Sequence, residues 1–192
     1  MATPQHDPRI ARTRRMLQTA LLDLTREQPL DEITVADIAD RAEVNRSSFY
    51  QHYSDKETLL ADALDAQAAA AAADLGSVDA ALVPGGTTPP DLFLRYTRHV
   101  SAHAALYRLA LGEHGSSIAV ARLRNRIASV AMTGYARFGQ DEADLGMPVE
   151  IAAASVAGSL LGILTAWLES TDPAPPEQVA GWIWNALARP RS

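Results

Sequence analysis

The sequence predicts an all-α fold: a three-helix N-terminal head, a long connecting helix and a helical-bundle body, about nine helices in all. Three observations predict it. Apolar residues recur at three- and four-residue spacing along almost every segment, and no stretch alternates cleanly enough for a strand. Helix-capping signals stand close together at Thr34, Asn45 and Ser54. Behind them comes an alanine-rich run, "AQAAAAAAD" at 66–74, whose intrinsic preference is a stiff helix.

The first helix is expected over 8–28, with Pro8 at its start, Pro29 as its stop, and Ile10, Thr13, Leu17, Ala20, Leu21 and Leu24 on one stripe. In "ITVADIADRAEV", Thr34 followed by Asp37 reads as a capping box, and Val35, Ile38 and Ala39 face inward from a very short helix. Asn45 caps a second short helix that runs through His52. Ser54 with Glu57 gives a third cap, S-x-x-E, for the long helix that leaves through Leu59, Leu60 and Leu64. Paired glycines and prolines in "GSVDAALVPGGTTPP" break the chain, so the divisions are expected at 1–54 (head), 55–75 (connecting helix) and 76–192 (body).

Within the body, "PDLFLRYTRHVSAHAALYRLALGEHG" reads as one helix, or two with a bend near His103. A long amphipathic helix follows, with Val120, Leu123, Ile127, Val130 and Phe138 on one side. Two further helices, "MPVEIAAASVAGSLLGILTAWLES" and "PEQVAGWIWNALAR", are separated by "TDPAPP". The uncharged stretch 151–168 has the length of a membrane span. Its Ala, Ser and Gly content and the lack of a flanking basic cluster favour instead a helix buried in a bundle.

Composition narrows the chemistry. With 192 residues, 47% hydrophobic and 21% charged, the chain has the makings of a globular core. Cysteine is absent, which removes disulfides, thiolate catalysis and Cys-based zinc sites. The N-terminal stretch has no apolar signal segment, and a cytoplasmic setting is expected. Sixteen arginines and a single lysine, Lys56, stand against 23 acids for a net charge of −6. The surplus acid says little, because Arg9, Arg12, Arg14 and Arg15 gather against one Asp7. There is no Gly-rich phosphate loop, no Ser–His–acid arrangement and no carboxylate cluster, so neither an enzyme nor a cofactor is expected.

Two short helices joined by a tight turn have the geometry of a helix-turn-helix, whose second helix enters the major groove of DNA. In "NRSSFYQHYSDKETLL", Val44, Phe49 and Tyr53 carry the apolar spacing, and Arg46, Ser47, Ser48, Tyr50, Gln51 and His52 are left outside. Hydroxyls, an imidazole and a phenol suit phosphate oxygens, while Arg and Gln reach base edges. Lys56 near a helix N-terminus adds a mobile point charge where backbone N–H groups already favour an anion. On residues alone, an ordinary amphipathic helix with an exposed Tyr and His reads as well as a DNA-binding one.

The same residues carry a resemblance. "ITVADIADRAEVNRSSFYQHYSDKETLL" resembles the DNA-binding region of the TetR family of bacterial transcriptional regulators, over about a quarter of the chain. The match runs through Thr34, Ile38, Ala39, Ala42 and Val44, then Phe49, Tyr50, His52, Tyr53, Lys56, Glu57 and Leu59; Glu43 departs from the glycine usual in the turn. The resemblance implies phosphate contacts at Thr34, Ser48, Tyr50, His52 and Lys56, with base-facing positions at Arg46, Ser47 and Gln51; Asn45, the N-cap of the same helix, is expected among the DNA-binding residues as well. Ala36 stands where some relatives use a long reading side chain, so that contact is expected to be missing.

A single recognition helix covers few base pairs, so a homodimer on a palindromic operator is expected. Ala154, Gly158, Gly162 and Ala166 recur every four residues and clear one face for a partner helix; Trp182, Trp184 and Leu187 lie beyond it or fill the subunit's own core. In the middle helices Arg95, Tyr96, His99, His103 and Tyr107 read as exposed amphipathic side chains or as the polar corner of a pocket for a small-molecule effector. The His99/His103 pair can also ligate a metal, with Asp91, Glu113 or His114 as third ligand, although no metal is expected. The function that follows is a DNA-binding regulator, a repressor released by its effector through the lever of the connecting helix. The alternative is a helical ligand-binding or interaction protein without DNA binding, in which Tyr50, His52 and Lys56 have no evident use.

Overall fold

The structure, a computed structural model, describes residues 8–74, 89, 91–112 and 115–188. These form ten helices and, among the described residues, no strand. The expected chain division at 76–89 lies almost wholly outside them, as do Glu113 and His114.

The head is α1 (Pro8–Leu24), α2 (Val35–Arg41) and α3 (Arg46–His52). α1 gives way to tighter turns four residues before the predicted end, with Arg26 N–H bonded to Asp23 O and Glu27 N–H to Leu24 O. The pyrrolidine of Pro29 offers no N–H to carry the helix further. Leu17, Ala20, Leu21 and Leu24 are buried as the stripe requires, whereas Ile10 stands out in solvent. α2 opens with the Thr34–Asp37 capping box, present in both directions, and buries Ile38 and Ala39.

Between α2 and α3 the backbone reverses at Glu43, whose φ of 55° places a β-carbon in the left-handed region. The turn is a Schellman closure: Glu43 N–H reaches Asp40 O and Val44 N–H reaches Ala39 O. The same closure at the end of α7 uses Gly139, at φ 65°. The head therefore keeps the turn its packing requires although the residue is unsuited to it.

α4 (Lys56–Asp74) leaves the head as one helix and carries the alanine run at its far end. Its cap is Asp55 and not Ser54: Asp55 Oδ1 accepts from Thr58 N–H at 2.7 Å, and Ser54 Oγ donates to the other carboxylate oxygen at 2.8 Å. A carboxylate at this position outcompetes a hydroxyl for a helix N-terminus, and the Thr58 N–H holds the Asp55 pKa below its ordinary value.

The body comprises α5 (Asp91–Ala102), α6 (Ala104–Leu111), α7 (Ser117–Arg137), α8 (Glu142–Leu145), α9 (Val149–Glu169) and α10 (Pro176–Ala188). α5 and α6 are two helices, broken at His103 as the bend predicts. α7 packs between α4 and α9, and α10 lies across α5 and α9. Head and body share one continuous core that passes along α4. α8 was not legible in the sequence; it is a single turn, capped reciprocally by Asp141 and Asp144 and ended by Gly146.

One expectation is corrected, on α7, and one is met over half of its helix, on α9. On α7, Leu123 is buried and Val120 and Ile127 pack partly, but Val130 and Phe138 are exposed, because beyond Ile127 the buried face is carried by Ala131 and Gly134. α9 has the length and composition of a membrane-crossing helix, yet Ala153, Ala157, Leu164 and Trp167 enter the core against its neighbours. About half of it is covered inside this subunit, and the rest faces out.

Glu43→Gly relieves the left-handed strain, partly offset by glycine's extra freedom when unfolded. It is expected to raise stability by roughly 0.5–1 kcal/mol, read from the urea midpoint at unchanged slope. A lower midpoint would show that the Glu43 side chain outweighs its backbone cost.

Candidate nucleic-acid interface

α3 is held by its inner face. Phe49 is fully buried and Tyr53 nearly so, their rings 5.9 Å apart. Burying one such aromatic contributes about 2–3 kcal/mol, enough to fix the direction of a seven-residue helix that has no stability of its own. The outer face is thereby presented as a rigid set: Arg46, Ser47, Tyr50 and Gln51 are exposed, and Ser48 and His52 are half-exposed.

The polar groups on this face are already ordered. Asn45 Oδ1 accepts three hydrogen bonds, from Ser48 N–H (2.9 Å), Ser47 Oγ (2.7 Å) and Ser48 Oγ (2.8 Å). Both serine protons point inward and their oxygen lone pairs outward, so the serines accept from a base edge as they stand. Donating to a phosphate requires the hydroxyl to rotate away from Asn45. Thr34 is similarly engaged: its hydroxyl donates to Asp37 Oδ2 at 2.7 Å and accepts from Asp37 N–H at 3.2 Å. The hydroxyl bond, followed by the Thr34 N–H, holds the Asp37 carboxyl below its usual pKa. The Arg46 guanidinium lies 5.7 Å from the centre of the Tyr50 ring one turn on and donates to its hydroxyl at 3.4 Å. That contact pre-orders a long side chain and leaves its remaining N–H groups for a partner. Ala36, exposed on α2, adds no reach.

Lys56 is placed differently from the expectation. Its Nζ donates to the carbonyls of Leu30, Asp31 and Ile33 at 2.7, 3.0 and 2.9 Å. All three ammonium protons close the loop between α1 and α2, so the side chain is no mobile phosphate-seeking charge. A cage of three carbonyls converging on one point suits a tetrahedral ammonium and not a planar guanidinium, which accounts for the chain's single lysine. A second lock was not read from the sequence. Tyr53 O–H donates to Asp62 at 2.5 Å, Arg14 bonds Tyr53 at 3.2 Å and Asp62 at 2.9 Å, and Gln18 bonds Asp62 at 2.7 Å. Burial and then the bond to Asp62 push the Tyr53 pKa up to about 12. The basic cluster of α1 is thus divided. Arg14 faces inward, while Arg12 and Arg15 line an open groove of about 560 Å³ beside Arg41 and Glu43. Arg41 is held in a two-pronged pair with Glu27, at 2.9 and 2.7 Å.

In the body the structure gathers Tyr96, His99 and Tyr107, with the His103 ring 4.4 Å from His99 and its Nδ1 at the His99 carbonyl, 2.9 Å away. Arg95 is exposed on α5. No group of three metal-ligating side chains occurs among the described residues. On α9, Ala154, Gly158, Gly162 and Ala166 all face outward, and a β-carbon at either glycine would meet nothing within 4 Å. Trp182, on α10, is exposed. Trp184 is not part of that surface, since it packs in the core 5.9 Å from Phe93.

Lys56→Met keeps the aliphatic stem but strands three carbonyls. It is expected to lower stability by about 2 kcal/mol, seen as a lower thermal midpoint in the absence of DNA. An unchanged midpoint would return Lys56 to a role at the surface.

Comparison with known proteins was made against this geometry. Residues 19–63 match the family model described as bacterial regulatory proteins, tetR family. A 57-residue stretch is 46% identical to an uncharacterised HTH-type transcriptional regulator, YxbF, of Bacillus subtilis (strain 168); it takes in 29% of this chain and 15% of that relative's length. A TetR transcriptional regulator from Streptococcus agalactiae 2603V shares the fold at a TM-score of 0.62 and 20% identity, over 94% of this chain and 96% of that one. Thermus thermophilus FadR, a TetR-family repressor crystallised with lauroyl-CoA, does so at 0.63 and 20%, over 91% and 92%. The head is thus similar in sequence to the tetR family over residues 19–63, and the whole chain shares the fold of solved TetR-family regulators.

Proposed function

We propose that the protein is a homodimeric DNA-binding transcriptional regulator, a repressor that leaves a palindromic operator when a small molecule enters its body. The observation that carries this reading is the outer face of α3, where Arg46, Tyr50 and Gln51 stand exposed and pre-ordered above the Phe49/Tyr53 anchor. Nothing inside the subunit needs them there. Arg46 and Gln51 have the donor geometry for base edges, with Ser47 and Ser48 as acceptors beside them. Tyr50, His52, the Thr34 region and the Arg12/Arg15 groove lie where a phosphate backbone would be followed. The head of YxbF, an HTH-type regulator, is similar in sequence, and the FadR repressor with bound lauroyl-CoA is similar in fold. The first favours a DNA-binding regulator, and the second favours a ligand in the body. A cytoplasmic site of action accords with a DNA partner.

The first test is fluorescence anisotropy on DNA from immediately upstream of the protein's own gene, at two salt concentrations. Binding is expected to weaken steeply with salt as counterions are released. Arg46→Ala and Tyr50→Ala should each cost about 1–3 kcal/mol without lowering the melting temperature. A protein that binds neither this DNA nor a random pool, at either salt, would be an interaction protein instead.

The dimer reading rests on the outward small-residue face of α9, with Ile151 exposed on the same helix and Trp182 exposed on α10. Such a face allows close approach of a second helix and leaves α9 half-covered without one. Gly158→Arg has room in the isolated subunit. It is therefore expected to convert a dimer into folded monomer in sedimentation and to weaken operator binding by more than tenfold. A dimer of unchanged mass would place the interface elsewhere.

A further inference from the structure

Asp62, within two turns of the start of α4, has a side chain only 20% exposed and accepts hydrogen bonds from two other helices. Its Oδ1 takes one from Arg14 at 2.9 Å; its Oδ2 takes one from the Tyr53 hydroxyl at 2.5 Å and one from Gln18 at 2.7 Å. Arg14 and Gln18 stand one turn apart on α1, and Tyr53 is the C-cap of α3. The Arg14 Nε also donates to the Tyr53 oxygen at 3.2 Å, with the guanidinium 5.5 Å from the ring centre. Three helices therefore meet at one carboxylate, and the Tyr53 hydroxyl between them both donates and accepts. It keeps its proton at neutral pH, since burial and then the bond to Asp62 push its pKa up to about 12.

Apolar packing does not supply what these bonds supply. Phe49 and Tyr53 lie four positions apart on the inner face of α3, and their burial is non-directional, so it tolerates a small roll of the helix about the line joining them. Such a roll swings the outer face, Arg46 and Gln51 included. A hydrogen bond to a base edge holds only over a few tenths of an ångström and a limited angle, whereas a charge near a phosphate tolerates much more. A short bond at the far end of the Tyr53 ring has a fixed direction and resists the roll.

We propose that Asp62 is a positioning residue for DNA recognition: through the Tyr53 hydroxyl it fixes the roll of α3, and with it the placement of Arg46 and Gln51 against base edges. This role rests on the reading of α3 as the recognition helix and assigns part of its sequence discrimination to a residue of α4, outside the helix-turn-helix. Asparagine is no substitute. It has one carbonyl oxygen for donors that arrive on two, and its amide would turn N–H groups either on Arg14 or on Tyr53 and Gln18. Electrostatics alone gives the opposite sign, because removing an acid from a DNA-binding head strengthens its attraction for phosphates. Weaker operator binding by Asp62→Asn is thus an effect that charge does not produce.

The test is anisotropy with the full chain, well below each variant's melting temperature. It compares the duplex that the wild-type protein selects, from its upstream DNA or a random pool, with a scrambled duplex of equal length and composition. Asp62→Asn and Tyr53→Phe are each expected to weaken binding to the selected duplex about tenfold and to leave the scrambled one within about twofold. Tyr53→Phe keeps the buried ring and changes no charge, so it holds the test if Asp62→Asn folds poorly. The double variant is expected to bind no more weakly than the weaker single one, since both remove the same bond. Asp65→Asn, three residues on and paired with Arg122 of the body, removes an equal charge and is expected to leave the discrimination unchanged. Folded variants that keep their affinity for the selected duplex would show that the network only stabilises the fold, and would overturn the role of Asp62. Equal losses on both duplexes, additive losses in the double variant, or a matching loss in Asp65→Asn would overturn it too. Wild-type protein that selects no duplex removes the regulator reading itself, whereas discrimination kept by both variants leaves that reading standing.

Discussion

One helix serves two cores. α4 begins among the head's buried residues and ends among the body's, and no other described helix packs on both parts so extensively. Its first turns are tied to the head by polar bonds: the Lys56 ammonium in its three carbonyls and the Asp62 carboxylate shared by Tyr53, Arg14 and Gln18. Further along, burial of Ala61, Leu64 and Ala68 does the holding, with Arg122–Asp65 as a partly exposed and therefore weak addition. Directional bonds at one end and non-directional packing at the other tie the head to α4 more tightly than packing alone would.

The recognition surface depends on the same economy. Seven residues of helix cannot stand alone, so α3 takes its stability from Phe49 and Tyr53 beneath it and its start from Asn45. Asn45 also holds both serine hydroxyls, so one side chain caps the helix and decides which way two potential contacts face. Glu43 shows the limit of local preference. The turn geometry is imposed by the packing of α2 against α3, and a residue with a β-carbon is carried into the left-handed region along with it.

The head was largely readable because its signals are short-range. The Thr34–Asp37 box and the Asn45 cap involve residues three apart, and the buried positions of α2 and α3 follow from a spacing of three or four. Where contacts span the chain, the reading fails. Lys56 meets carbonyls 23 to 26 positions away, and Asp62 meets Arg14 across 48, neither of which any periodicity encodes. The Ser54 cap failed for a different reason: two adjacent capping side chains compete, and the carboxylate takes the N–H. In the body, the outward face of α9 was legible from a four-residue repeat of small residues. The fates of Trp182 and Trp184 were not, because two positions on one helix differ in facing by more than a right angle, and only the placement of α5 decides which is covered.

The body's polar interior follows from the same distinction between local pattern and global placement. Tyr96, His99, His103 and Tyr107 suggest a single stripe in sequence, but the break at His103 divides them between two helices. Because His103 N–H is shared between the carbonyls of His99 and Val100, the chain there has two nearby ways of continuing and no side-chain cap to favour one. A buried pair of hydroxyls beside such a joint adds little to the stability of the fold. The stability that the body forgoes at Tyr96 and Tyr107 is small beside the burial of α7 and α9, so the cost is bearable only because the rest of the bundle is well packed. The head shows the opposite arrangement, with the Lys56 ammonium and the Asp62 carboxylate at its junction with α4 each bonded several times.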